Sequence, residues 1–245
     1  MYDLHSHILP GLDDGAQSMQ DTLLMAAMAA ECGTREMVCT PHCSTDDFNL
    51  PRRLEAIIAE TRQANAVLYR ERIPIRLHPG MELLCTENPS IFLERGDFLT
   101  LAGSRYLLIE FSFDIRSSAI QDAASTVARY GLTPVIAHPE RYDCVQWTPE
   151  QVRDWVSRGW LIQINRGSLT GNFGQEAYAA AAWILRHRLA HLVASDAHGV
   201  DFRTPDLMGG YRWVCHNCDE EYAELLFRVN PRRILFDHTV ETGIR

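Results

Sequence analysis

Seven short apolar runs recur along the 245 residues, and nearly every one stops at a histidine or a carboxylate. The runs lie at 2–7, 36–40, 73–77, 106–110, 134–138, 161–165 and 192–196, and several are continuously apolar, as strands buried on both faces are. Helical patterning fills the gaps at 22–32, 54–70, 118–130, 148–159 and 175–188, with a late helix at 220–229. Ser18 and Asp21 form the pattern of a capping box, Gly33 is a natural stop, and Thr148-Pro149-Glu150 reads as N-cap, N1 and N2. A glycine-rich loop is expected from Gly167 to Gly174. Such alternation calls for an α/β fold with a parallel sheet. A closed barrel is preferred to an open sheet. Polar residues end many strands, as at the mouth of a β/α barrel, whereas an open sheet gathers its site at one switch point. No linker or composition shift divides the chain, so 1–245 is expected to be one domain.

The first strand carries His5 and His7 two residues apart, on one face of a β-strand, and a Pro10-Gly11 turn then delivers Asp13 and Asp14. Collecting the groups at the other strand ends gives His5, His7, Asp14, His42, Glu82, Glu110, His138, Asp196 and His198. All are nitrogen or hard-oxygen ligands and none is a thiolate, a mix suited to Mn, Fe or Zn. Any one of them alone reads more readily as a core histidine or an ion-paired carboxylate than as a ligand. Their recurrence at strand after strand points instead to one shared mouth. Nine such groups exceed the needs of one ion, so two or three ions sharing a bridging carboxylate are implied. Arg141 and Arg203 lie close in sequence to His138 and His198, where guanidinium groups bind phosphate oxygens. The alternative for both is surface pairing with Glu140 or Asp201.

Other classes fall away. A net charge of −9 argues against a nucleic-acid or anionic-membrane binder, while leaving an anionic substrate open because bound cations reverse the local field. The longest apolar run, 177–185, is too short for a bilayer, and no basic-then-apolar leader opens the chain, so a cytoplasmic protein without membrane insertion is expected. Seven cysteines in no regular framework fit a reducing compartment. None has arginine six residues later, which removes the cysteine-dependent phosphatases, and no Gly-x4-Gly-Lys supports an ATPase or kinase. Cys215-His216-Asn217-Cys218 reads as an incidental loop pair, since no second pair completes a zinc site.

His5-Ser6-His7, Thr40-Pro41-His42, Gly80-Met81-Glu82, Ala137-His138-Pro139-Glu140-Arg141-Tyr142 and Ser195-Asp196-Ala197-His198 together resemble the polymerase-and-histidinol-phosphatase (PHP) superfamily. Two longer stretches, 7–16 and 163–169, are similar to its branch of metal-dependent bacterial protein tyrosine phosphatases tied to capsule and exopolysaccharide synthesis. The ordered set runs from residue 3 to about 208. The resemblance implies a distorted seven-stranded, TIM-barrel-like β/α barrel, in agreement with the strand count. It also implies three divalent ions, manganese being the usual one. On that pattern His5, His7, Glu82 and Asp196 hold the first ion, Glu82, Glu110 and His138 the second, and Asp14, His42 and His198 the third, with Asp13 a rival for Asp14. Arg141 and Arg203 match phosphate-binding arginines, and Asp196 or His198 is the candidate to protonate the leaving phenolate. The implied reaction is phosphotyrosine hydrolysis by a metal-activated hydroxide. Its implied partner is a phosphotyrosine protein, the tail of a bacterial tyrosine kinase being the family's example. A small-molecule phosphatase of histidinol-phosphate type, a phosphoesterase, or a non-catalytic metal-binding barrel are the alternatives. Cys43 stands where relatives commonly carry a second histidine, which suggests oxidation-sensitive activity.

Overall fold

The computed structural model describes residues 1–47 and 49–242, and its frame is a ring of parallel strands. The strand segments are β1 (Tyr2–Ser6), β2 (Glu36–Cys39), β3 (His42–Ser44), β4 (Arg76–Pro79), β5 (Glu82–Leu84), β6 (Tyr106–Glu110), β7 (Thr133–Ile136), β8 (Leu161–Asn165) and β9 (Leu192–Ala194). Nine segments still make seven barrel positions, because β3 continues β2 and β5 continues β4. Each break falls at a residue that suits a ladder poorly. Pro41 has no N–H to give, and Gly80 lies so close to the neighbouring strand that an added Cβ would be 2.6 Å from Val38 Cγ1.

Below the breaks β1, β2 and β4 pair in that order, and above them β3, β5, β6, β7, β8 and β9 follow in order. The ring closes through the chain just beyond β9. Asp196 N–H donates to His5 O and His7 N–H to Ala197 O, both at 2.9 Å, and Ser6 bridges Ala197 in parallel. The barrel expectation therefore stands, with two of its seven strands interrupted.

Alternation along each strand separates two cores. Tyr106 and Leu108 of β6, Val135 of β7 and Leu161 of β8 join Leu4, Val38 and Leu192 inside, where Ile234 and Leu235 plug one end. Leu107, Ile109, Ile136, Ile162 and Ile164 point outward to the surrounding helices. On β8 the inward pattern continues with Gln163 and Asn165, polar and fully buried, at the opposite end from the plug. A register shift between Asp3 and Ser6 marks a bulge in β1, so that Leu4 joins the plug while His5 and His7 face the other end.

Several helices follow the expected signals. Met19–Glu31 opens on Ser18, whose Oγ accepts from Asp21 N–H at 3.2 Å while Asp21 Oδ2 accepts from Ser18 N–H at 2.9 Å. Thr148, expected to cap, makes no side-chain cap bond. A 3₁₀ turn at Pro149–Gln151 precedes the helix Val152–Ser157 there. The glycine-rich stretch begins with a helical turn, Arg166–Leu169. The late helix is Glu220–Glu224 followed by a π turn, Leu225–Val229, and then Asn230–Leu235. Met208–Asn217, unforeseen, is a helix, so Cys215 and Cys218 sit at its last turn and cap rather than in a loop. No helix among the described residues is long and apolar enough to cross a membrane.

Candidate metal centre

The strand ends and the loops that leave them bring all nine expected ligand groups to one mouth. His5 Nε2 lies 3.1 Å from Glu82 Oε1 and 3.4 Å from Asp196 Oδ1. His7 Nε2 is 3.4 Å from both Glu82 Oε2 and Asp196 Oδ1. His138 Nε2 reaches Glu82 at 3.1 Å and Glu110 at 3.4 Å, and His42 Nδ1 reaches the same pair at 3.0 and 3.6 Å. His42 Nε2 and His198 Nε2 stand 3.3 and 3.4 Å from one oxygen of Asp14. Glu82 thus touches four imidazoles from its place at the start of β5.

Four overlapping sets have ligand atoms within 4.8 Å of one another: His7, Asp14, His42 and His198; His5, His7 and Asp196; His5, Glu82 and His138; His42, Glu82 and Glu110. The donors fit divalent cations. His5 and His7 turn their Nε2 atoms toward each other at 3.3 Å, and both rings use Nδ1 elsewhere. His138 Nδ1, His198 Nε2 and Asp196 Oδ1 are buried with no hydrogen-bond partner among the described residues. An unpartnered buried polar atom is costly unless something binds it. For His198 Nε2 and Asp196 Oδ1, which sit inside the ligand cluster, a bound cation meets that need.

Behind the ligands lies an orienting layer. His7 Nδ1 meets Asp13 Oδ2 at 2.6 Å, and Asp13 also accepts from Gly15 and His42 N–H at 2.9 and 3.1 Å. Asp13 is fully engaged in holding ligands, while Asp14 turns to the open side with two-thirds of its side chain exposed. Gly15 can be nothing else, since an added Cβ would lie 2.0 Å from His7 O. His5 Nδ1 meets Gln163 Oε1 at 3.0 Å, Gln163 donates to Asn165 Oδ1 at 2.8 Å, and Asn165 donates to Asp196 Oδ2 at 2.6 Å. That relay fixes the His5 ring and the Asp196 carboxylate together, as outer-shell partners of metal ligands do. His138 (φ 31°) and Asp196 (φ 51°) both hold left-handed backbone, strain that the surrounding contacts maintain.

Charge follows geometry. Burial opposes ionisation of Glu82 and Asp196, yet the imidazoles around both, and Arg203 beside Asp196, hold each carboxyl well below its ordinary range. His138 is buried as well, but Glu110 and Glu82 push its pKa up to about 10. His198 is pulled down to about 4 by burial and by His7.

Arg141 and Arg203 both reach the centre. Arg203 Nη2 lies 2.5 Å from Asp196 Oδ2 and Arg141 Nη1 lies 3.6 Å from it. Arg141 is also gripped between two rings, its guanidinium carbon 4.4 Å from the centroid of Phe113 and 4.3 Å from that of Phe173. Two rings packed on the guanidinium hold it in place beside the ligands, with N–H groups left to donate to a ligand. The surface alternative for these arginines fails, because neither pairs with Glu140 or Asp201. Glu140 is buried and accepts from Asn165 N–H and Ser168 Oγ instead. Beside the ligands a cleft of about 530 Å³ opens, lined by Asp13, Asp14, His42, Cys43, Arg53 and Glu110 among others. Cys43 is buried and its thiol is pushed up to about 12, opposite to a reactive thiolate, so the expected oxidation sensitivity has no basis in this residue.

Sequence reasoning assigned no role to Gln163, Asn165, Phe113 or Phe173. Two polar residues at i and i+2 on an apolar strand were a usable signal for the first pair. The aromatics come from loops, which carry none.

A family model described as capsular polysaccharide synthesis, CpsB/CapC, matches residues 1–236. The chain belongs to the CpsB/CapC family. Within that family it is 32% identical to tyrosine-protein phosphatase CpsB of Streptococcus pneumoniae, over 98% of this chain and all of that protein. It is 36% identical to tyrosine-protein phosphatase YwqE of Bacillus subtilis (strain 168), over 83% of this chain and 79% of that one. A solved structure from work on YwqE and CpsB, described as unique metal-dependent tyrosine phosphatases, superposes with a TM-score of 0.90 at 32% identity, covering 99% of this chain and 97% of that one. The expected resemblance and barrel fold are both borne out.

Proposed function

We propose that this CpsB/CapC protein is a single-domain, cytoplasmic, metal-dependent protein tyrosine phosphatase. The observation that carries the reading is the convergence of nine nitrogen and carboxylate ligand groups, with two arginines, at one barrel mouth. The names of its relatives support the same reading.

His5, His7, Glu82 and Asp196 would hold a first ion, Glu82, Glu110 and His138 a second, and Asp14, His42 and His198 a third, manganese being our first expectation. Bound there, such ions supply Lewis acidity toward the phosphoryl group and lower the pKa of water. The chain's own groups do the rest. Arg141 and Arg203 would receive the phosphoryl oxygens through their N–H edges and bear charge as the P–O bond breaks. Asp13, Gln163 and Asn165 keep the ligands aimed while that happens. The phenolate leaving group, with a pKa near 10, needs little help from an acid. Asp196 is buried and held ionised, and His198, pulled down to about 4 and a ligand of the third ion in this reading, has no proton to give, so neither expected donor serves and the phenolate leaves without a protein acid. The natural substrate in this reading is a phosphotyrosine segment of a kinase that serves capsule or exopolysaccharide synthesis.

A panel on manganese-replete protein tests it, comparing a phosphotyrosine peptide, a phosphoserine peptide and histidinol phosphate. We expect kcat/KM for phosphotyrosine to exceed the other two by at least about tenfold, corresponding to roughly 1.4 kcal/mol of discrimination. Preference for histidinol phosphate would replace the protein-phosphatase reading with a small-molecule one.

A further inference from the structure

A second cavity, of about 810 Å³, lies at the plugged end of the barrel, lined by Tyr2, Arg228, Val229, Arg232, Arg233, Phe236 and His238. Tyr2 begins β1, so this cavity opens at the strand ends opposite the metal centre. Its lining holds three arginines and a histidine with no carboxylate, in a chain whose net charge is −9. Carboxylates just outside the lining pair with two of the three arginines, so the field offered to an anion in this concave, partly apolar site rests chiefly on Arg232.

The arginines are held in different ways. Arg228 Nη1 pairs with Glu224 at 2.8 and 3.0 Å, and Arg233 pairs with Glu241 and donates to Thr239 O at 3.0 Å. Those contacts order two guanidinium groups yet use only part of the five N–H donors each carries. Arg232 has no ion pair among the described residues, and its guanidinium lies 5.8 Å over the Phe236 ring. Phe236 is 53% exposed and Val229 38%, leaving apolar surface beside the free charge. The backbone is irregular at this place too: Arg228 and Val229 belong to the π turn Leu225–Val229, a feature frequent at functional sites.

We propose that this cavity binds a nucleoside diphosphate, its phosphates held by Arg232 with Arg228 and Arg233, its base resting on Phe236 and Tyr2. One unpaired guanidinium beside two others with N–H groups to spare calls for an anion with several acceptor oxygens. The exposed Phe236 ring, with the half-buried Tyr2 also in the lining, calls for a flat ring, and the volume exceeds what inorganic phosphate fills. The site is separate from the phosphatase reading and stands or falls apart from it.

Titration of ADP into the full-length, chelator-treated protein, followed by calorimetry, tests the site without metal-bound nucleotide at the other mouth. We expect one ADP per chain, affinity weakened about tenfold or more by Arg232→Ala and several-fold by Phe236→Ala, and retained in Arg141→Ala. Both cavity positions are exposed, so their variants should keep the parent Tm. No saturable binding below millimolar ADP, unchanged affinity in both cavity variants, or loss in Arg141→Ala alone would overturn the proposal. Inorganic phosphate or a phosphotyrosine peptide binding as tightly as ADP would overturn the assignment to a nucleotide.

Discussion

Asp13 Oδ2 sits 2.6 Å from His7 Nδ1 and also accepts the His42 N–H at 3.1 Å, so one carboxylate aims a ligand just beyond β1 and another at the start of β3. Its neighbour Asp14 makes no such contact and instead stands 3.3 and 3.4 Å from the Nε2 atoms of His42 and His198. Adjacent aspartates thus divide the work between orientation and ligation.

From that division, Asp13→Ala should keep a full ligand set but hold it loosely. Metal affinity is expected to fall by roughly 10–100-fold, the usual cost of losing an outer-shell partner. Asp14→Ala should instead lower the stoichiometry by one ion. Metal analysis after dialysis against graded manganese separates the two; identical behaviour of both variants would contradict the division.

Phe113 and Phe173 both pack against the Arg141 guanidinium, their centroids 4.4 and 4.3 Å from its carbon. Removing one ring in Phe173→Ala should free the guanidinium without altering the metal ligands. The cost is of order 1 kcal/mol in kcat/KM for an aryl phosphate, about fivefold, carried mainly by KM. Arg141→Ala should lose more, roughly 10–100-fold, as a charge-assisted contact to phosphate disappears. Steady-state kinetics at equal metal occupancy provides the check.

Burial of His191 on β9's flank pulls its pKa down to about 4, while its Nδ1 accepts the Ile162 N–H at 3.1 Å. In the unfolded chain the ring titrates near 6.5. As pH falls through 6.5 the unfolded state takes the proton first, so this contribution is full above 6.5 and is lost toward pH 4, about 3 kcal/mol in all. His191→Asn, whose Oδ1 can accept the same N–H, should show a shallower loss of stability between those pH values. Denaturant unfolding at a series of pH values measures it, and parallel curves for the two proteins would refute it.

Much of the frame was legible from residue pattern. The strands at Tyr106–Glu110 and Leu161–Asn165 fall where their apolar runs lie. All nine ligand groups came from strand ends because barrel geometry gathers those ends whatever the loops do. The continuations β3 and β5 were hidden by Pro41 and by Gly80-Met81, which interrupt the apolar run without ending the barrel strand. The helix Met208–Asn217 was masked by Gly209 and Gly210 in its first turn, poor helix formers whose place is set by packing against Thr170 and Arg166. The roles of Asp13 and Asp14, and the grip on Arg141, depend on contacts between distant loops that no local period encodes.

The central claim is that these side chains work through bound divalent ions. Activity on a phosphotyrosine peptide should be abolished by a chelator and restored by manganese, reaching its maximum as occupancy approaches three ions per chain. His42→Ala should recover only a small fraction of it at any manganese concentration. Full activity in chelator-treated protein shown by elemental analysis to be metal-free would contradict the account.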